Sequence, residues 1–212
     1  LRYAKTVIDA KDETGAPMYR LGNSADCSRG DLTLSSEHIF NMNVHDLAST
    51  ELGSARGYET NRSILTKHFY ESGATDIRFV YMWDYVYDSY WWTYNNYFKK
   101  YLQSENMPQI SKNTIPLIRL YEMYLIAMET STLDVANTLY ETMCTARDIT
   151  PVSITDQDVL KNLLIMEYNK EFYGEGQAFY MYKRLNVENI YNATESGSVG
   201  AYVVPLPKQE NI

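Results

Sequence analysis

Between Phe79 and Phe98 eleven of twenty residues are aromatic, against 14% for the whole chain, and all three tryptophans fall inside this stretch. Phe79, Tyr81, Trp83, Tyr85 and Tyr87 occupy alternate positions, with Val80, Met82, Asp84, Val86 and Asp88 between them. Alternation places each set on one face of a strand, and aromatic and β-branched residues favour that conformation. Asp88-Ser89 can turn the chain, after which Tyr90, Trp92 and Tyr94 alternate again, so the segment predicts a β-hairpin. The spacing of Trp83, Tyr87, Trp91, Tyr94 and Phe98 also fits one face of a helix, and both readings stand at this level.

Around this stretch the pattern is mostly helical. Residues 1–8 read as the tail of an amphipathic helix with Tyr3, Ala4, Val7 and Ile8 on one face, its partners expected upstream. Residues 22–36, rich in Ser, Asp and Gly, read as irregular loop, and 49–60 as loop again. His38 to Val44 reads as a short strand with Phe40, Met42 and Val44 on one face, and Asn61 to Ser72 as a helix stopped by Gly73. From Thr114, with Pro116 in the first turn, Leu117, Leu120, Tyr121, Tyr124, Leu125 and Met128 repeat at helical spacing. Thr132 can cap a second helix whose stripe is Val135, Ala136, Leu139, Tyr140 and Met143, giving a pair of tetratricopeptide length. A third helix starts at Thr155 to Asp158 like a capping box and runs to Gly174, a fourth covers Gln177 to Leu185, and Tyr202 to Pro207 is extended. The expected class is mainly α with α+β character: helix, loops and hairpin over 1–112, and a helical region over 113–212.

Composition removes several classes of function. A net charge of −8 without a basic stripe argues against nucleic acid. Cys27 and Cys144 are far apart, and His38, His45 and His68 sit in separate segments, so no metal or cofactor is expected. No apolar run reaches the ~20 residues of a membrane-spanning helix.

Two constellations remain. Glu167 and Glu171 are four apart on one helix, where a glycosidase could in principle find its two carboxylates. Such carboxylates must flank a bond from opposite sides, whereas these point the same way, with Lys170, Arg184 and Arg147 available as structural partners. The expectation is no enzyme. Gly174-Glu175-Gly176 has no GK[ST] after it and reads as a helix stop. The aromatic stretch is the better candidate, because tyrosine and tryptophan offer flat apolar faces to the C–H surface of a sugar and polar edges to its hydroxyls. The expected ligand-binding residues are Trp83, Tyr87, Asp88, Tyr90, Trp91 and Trp92. The bland alternative is that these rings pack on the protein's own helices.

The residues also carry a resemblance. Asn113 to Glu129 (NTIPLIRLYEMYLIAME), Ile165 to Phe179 (IMEYNKEFYGEGQAF), Lys183-Arg184 and Pro205 to Asn211 (PLPKQEN) together look like the C-terminal half of SusD/RagB outer-membrane nutrient-binding lipoproteins. Weaker echoes lie in residues 4–21, in Ser36 to Phe40 and in Asp76-Ile-Arg78. The family's arginine-rich runs appear here as EYNKE (167–171) and QAFYMYKR (177–184), with Met181 where an aspartate is expected. The resemblance implies scaffold ion pairs among Glu167, Glu171, Lys183 and Arg184. It also implies a SusD-like fold and a lipoprotein on the cell surface, lipid-anchored to the outer membrane through a missing N-terminal segment. Such a protein would bind an oligosaccharide or other small nutrient without a chemical step and deliver it to a SusC-like TonB-dependent transporter, working with the N-terminal half of the same protein. Cys27 would not be the lipid anchor. The second reading is a tetratricopeptide-type scaffold for protein–protein interaction.

Overall fold

A computed structural model describes residues 1–50, 58–61, 69–70, 74–90, 92–188, 190 and 202. The helix expected over 61–72 falls largely outside these residues, as does the extended end after Tyr202. The chain divides into two compact units, Leu1–Leu164 and Ile165–Ile212.

The first unit is α+β. Strands β1 (His38–Asn43) and β5 (Thr114–Arg119) form a two-stranded antiparallel ribbon, and β2 (Tyr58–Asn61), β3 (Trp83–Asp88) and β4 (Thr93–Phe98) form a three-stranded antiparallel sheet in the order β2-β4-β3. Helices α1 (Arg2–Ile8), α4 (Leu120–Glu129) and α5 (Leu133–Arg147) pack together, α1 and α5 each against α4. Two short helices, α2 (Ser24–Ser28) and α3 (Ile77–Met82), complete it, with the start of α6 (Gln157–Glu171).

Several expectations are corrected by non-local structure. Residues 114–119 are strand, and α4 begins only at Leu120, because the β-branched Thr114, Ile115 and Ile118 find a partner strand in β1. Pro116 is tolerated there because, among the described residues, β5 pairs on one side alone. Leu117, expected inside, is exposed. Phe40 and Met42 lie on β1 as expected but are solvent-exposed on the narrow ribbon, and Tyr3 is exposed on α1 while Ala4 is buried. Phe79 and Tyr81 belong to α3 rather than to a strand. Asp76 caps that helix, its carboxylate accepting from the Arg78 N–H at 3.0 Å, and the strand starts at Trp83. Within the loop expected over 22–36, Asn23 and Asp26 form a reciprocal capping box that starts α2. The α4–α5 pair, α6 and helix α7 (Gln177–Leu185) are present, although Thr132 makes no side-chain capping bond to α5 and α6 ends at Glu171 and not at Gly174. Asp156, and not Thr155, caps α6, accepting from the N–H groups of Asp158 and Val159 at 3.0 and 2.9 Å.

The core of the first unit combines an apolar layer with buried charge. Leu120, Tyr121, Leu125 and Met128 of α4 and Ala136, Tyr140 and Met143 of α5 are buried. Two buried guanidinium groups approach Tyr121, the Arg147 Cζ lying 4.3 Å and the Arg78 Cζ 5.5 Å from its ring centroid, with Arg78 Nη1 donating to its hydroxyl at 3.3 Å. Arg147 donates to Glu37 Oε1 at 2.8 Å and to the Gly22 carbonyl at 2.8 Å, while Gly22 N–H donates to the same Glu37 oxygen at 2.7 Å. Arg78 donates to both carboxylate oxygens of Asp76, at 2.9 Å through Nε and 2.7 Å through Nη2. This network ties the loop at Gly22, the turn before β1, α3, α4 and α5 to one tyrosine.

Gly22 is confined by more than these bonds, since a Cβ there would stand 2.6–2.9 Å from the side chain of Leu34, which is fully buried. Gly22→Ala is expected to lose about 1–3 kcal/mol of stability, read as a lower urea midpoint, because the buried Leu34 side chain or the backbone must shift to admit the methyl group.

His38, at the start of β1, donates from Nε2 to the Thr33 carbonyl at 2.9 Å, while its Nδ1 is buried without a partner among the described residues. Burial holds its pKa below the usual 6.5, and the positive charges of Arg119 and Lys100 add to this. Between the folded and the unfolded pKa the unfolded chain binds the extra proton, so stability should be complete above pH 6.5 and fall progressively as pH drops below it. Urea unfolding at pH 7.5 and 5.5 should show this loss, and His38→Gln should reduce it.

In the second unit Tyr182 on α7 donates to Asn169 Oδ1 at 2.8 Å, and the Arg184 guanidinium lies 5.7 Å from the Tyr168 ring centroid. Tyr202 donates its hydroxyl to the Val187 carbonyl.

Candidate functional site

The β3–β4 hairpin closes a loop over residues 89–92. Its ladder runs from Trp83↔Phe98 through Tyr85↔Asn96 and Tyr87↔Tyr94 to Asp88↔Thr93. Directly opposed residues share a face, so Trp83, Tyr85, Tyr87, Tyr94, Asn96 and Phe98 stand together. The two ends of that face differ. Trp83 is 7% exposed and packs on Phe98 with centroids 4.9 Å apart. Toward the loop, Tyr85 (47% exposed), Tyr87 (45%) and Tyr94 (50%) form a half-open cluster. Tyr85 and Tyr94 stack at 4.5 Å and 16°, and Tyr87 meets Tyr94 at 4.9 Å and 53°. Each ring therefore spends one face on its neighbour and keeps part of its surface in water.

The expected binding residues separate accordingly. Trp83 is core. Tyr87 is in the exposed cluster. Tyr90 is 78% and Trp92 83% exposed in the loop, and Trp92 holds φ +52°, a conformation that bulky residues seldom adopt. Trp91 lies outside the described residues, and of the Asp88 side chain nothing is described. Tyr85 and Tyr94 were missed as binding candidates, although the alternation that predicts the hairpin already contains both. Their pairing depends on register, which the loop sets.

On the reverse face, Lys99 donates to Asp84 at 2.5 Å. From Trp83 to Phe98 the chain contains no lysine or arginine. The face offers apolar ring surface, phenolic hydroxyls and the amide of Asn96. Among the described residues no group of histidine, cysteine or carboxylate side chains could hold a metal, and no helix is long and apolar enough to cross a membrane.

Other candidates are less equipped. An open groove of about 660 Å³ is lined by Cys27, Ser28, Arg29, Gly30, Ser104, Asn106 and Pro108, without an aromatic platform. Glu167 and Glu171 are each 1% exposed, and Lys170 Nζ is 3.7 Å from Glu167 Oε1. Lys183 and Arg184, the other members of the expected ion-pair set, are exposed, with Arg184 over Tyr168. Met181 is buried.

Comparison with protein-family models and with curated proteins returned no match. On the observations above, the chain is an α+β protein that presents a half-exposed tyrosine face on a small antiparallel sheet.

Proposed function

We propose that this chain is a non-catalytic module that captures glycans or related nutrients, as part of a SusD/RagB-like lipoprotein at the outer-membrane surface that passes its ligand to a SusC-like TonB-dependent transporter. The observation that carries the capture reading is the stacked, half-exposed Tyr85–Tyr94–Tyr87 cluster with Trp92 extended from the adjoining loop. Core aromatics lose their water-facing surface, and these have not. The left-handed backbone at Trp92 supports the same reading, since a bulky residue held there and largely presented to solvent has no packing reason for its place. Burial of Glu167 and Glu171 supports a scaffold role for those carboxylates. The order of the resembling segments, from residue 4 to 211, supports the family and with it the location and the transporter partner.

The test is a calorimetric panel of neutral and acidic oligosaccharides against the wild type, with Trp92→Ala and Tyr94→Ala alongside. Saturable binding that weakens about tenfold in each variant is expected, with thermal stability unchanged in Trp92→Ala and modestly lowered in Tyr94→Ala, as aromatic contacts at a binding face are worth about 0.5–1.5 kcal/mol beyond their buried area. Binding indifferent to both changes would remove the hairpin from the site.

A further inference from the structure

The apolar residues of the β1–β5 ribbon face outward. Phe40 opposes Ile118 and Met42 opposes Ile115, and directly opposed residues share a face. Phe40 is 58%, Met42 46% and Ile118 40% exposed, and Ile115 is half-buried. Leu117, left without an opposite residue by the register shift, is exposed as well. The residues of β5 that turn inward, Thr114, Pro116 and Arg119, are buried. The ribbon is thus inverted, since a half-buried strand normally turns its apolar set to the core and its polar set to water. A contiguous apolar surface of this kind marks an interface. It is separate from the three-stranded sheet that carries the tyrosine hairpin.

We infer that this face binds a second copy of the chain, the two ribbons stacking face to face about a two-fold axis. Charge points to that occupant. The chain carries 27 acidic residues and a net charge of −8, so two copies meeting at an arbitrary face bring like charges together. The ribbon avoids this. Neither 38–44 nor 113–119 contains an acidic residue, and His38 and Arg119 lie together at one end, half-buried and buried. An apolar face with no charge to match is complementary to itself, and homodimer interfaces are the more apolar class, whereas transient heterologous ones are about as polar as any other surface. Area sets the strength. Two six-residue strands side by side, each roughly 20 Å long, cover on the order of 500 Å² per copy and about 1,000 Å² in all, the lower end for specific association. The dimer is therefore concentration-dependent, with a Kd on the order of 10–100 µM. Stacking is the mode, and not edge pairing of β1, because only stacking covers Phe40, Met42 and Ile118. It also gives a two-stranded ribbon, marginal by itself, a second layer.

Sedimentation velocity of the intact protein from about 1 to 300 µM tests this, with Phe40→Glu, Met42→Glu and Trp92→Ala alongside and thermal unfolding measured in parallel. Wild type should pass from monomer to dimer across that range and go no further, since a two-fold interface closes on itself. Each glutamate puts a pair of like charges into the stacked face and should weaken association by at least about tenfold. Tm should change little, because both side chains are about half exposed in the single copy. Trp92→Ala, on the hairpin loop, should associate as wild type does. A monomer at every concentration would give the face to another occupant and overturn the inference, and so would a series that grows past the dimer. Association that survives both glutamate variants, or that is lost in Trp92→Ala, would overturn it as well. If one glutamate variant does not fold, the other decides, because the two residues lie on the same face.

Discussion

Replacing Arg147 by alanine is expected to destabilise the first unit by about 3–5 kcal/mol, measured by urea unfolding. The size follows from burial and from what is left behind. Arg147 and Glu37 are both fully buried, and the guanidinium also satisfies the Gly22 carbonyl and covers one face of Tyr121. Removing it leaves a carboxylate in a dry interior, where its attraction to the lost cation was the compensation for desolvation. A domain holds only about 5–15 kcal/mol in total, so the variant should be close to unfolded at 37 °C. The cause can be isolated in a double variant. Glu37→Gln with Arg147→Met removes both charges, keeps an oxygen for the Gly22 N–H and keeps volume beside Tyr121. It should recover stability to within about 2 kcal/mol of wild type, the remainder being the unmet Gly22 carbonyl. A single variant as stable as wild type would mean that the pair contributes nothing to the fold.

The second large effect is expected at Asp76. Its carboxylate accepts from Arg78 through both oxygens and caps α3, and each residue is 1% exposed. Asp76→Ala should therefore cost about 3–5 kcal/mol, since Arg78 is left buried with its main counterion gone and the helix loses its cap. Asp76→Asn keeps an oxygen for the cap and for Arg78 Nε, and should lose distinctly less. The consequence reaches the candidate site, because α3 ends at Met82 and β3 starts at the next residue, Trp83. Asp76→Ala is expected to weaken glycan binding together with stability, whereas Trp92→Ala should weaken binding alone. Equal unfolding midpoints for Asp76→Ala and wild type would contradict the role assigned to the pair.

These two positions also show why part of the fold was hidden in the sequence. Helices α5, α6 and α7 were legible because their apolar residues repeat at helical spacing and their contacts begin locally. The hairpin was legible because alternation is a property of adjacent residues. Residues 77–82 carry the same alternation and are nevertheless helical, since Asp76 and Arg78 meet in a buried pair that nothing in the spacing of rings announces. Residues 114–119 looked like the first turn of α4. Their strand conformation depends on β1, some seventy residues earlier. Capping at Asn23 was readable in principle, because Asn and Asp three apart is a local signal, but a loop-like composition masked it.

The site divided in the same way. The aromatic stretch stood out by composition, and Tyr87, Tyr90 and Trp92 within it are exposed, but spacing left open which of its rings were core and which surface. Which rings meet could not, because Tyr85 touches Tyr94 only in the register that the loop over 89–92 imposes. Trp83 was the attractive error. It belongs to the same alternating set as Tyr85 and Tyr87, yet it sits at the end of the hairpin where Phe98 covers it.

The most direct measurement is a calorimetric titration of one binding neutral oligosaccharide into wild type and into a Tyr85→Ala/Tyr94→Ala variant, with the sugar recovered afterwards and its length determined. Saturable heat from wild type, none above dilution from a variant that still unfolds cooperatively well above the assay temperature, and sugar recovered at its original length are predicted. Equal heats from the two proteins, or shortened sugar, would contradict capture without catalysis by the tyrosine face.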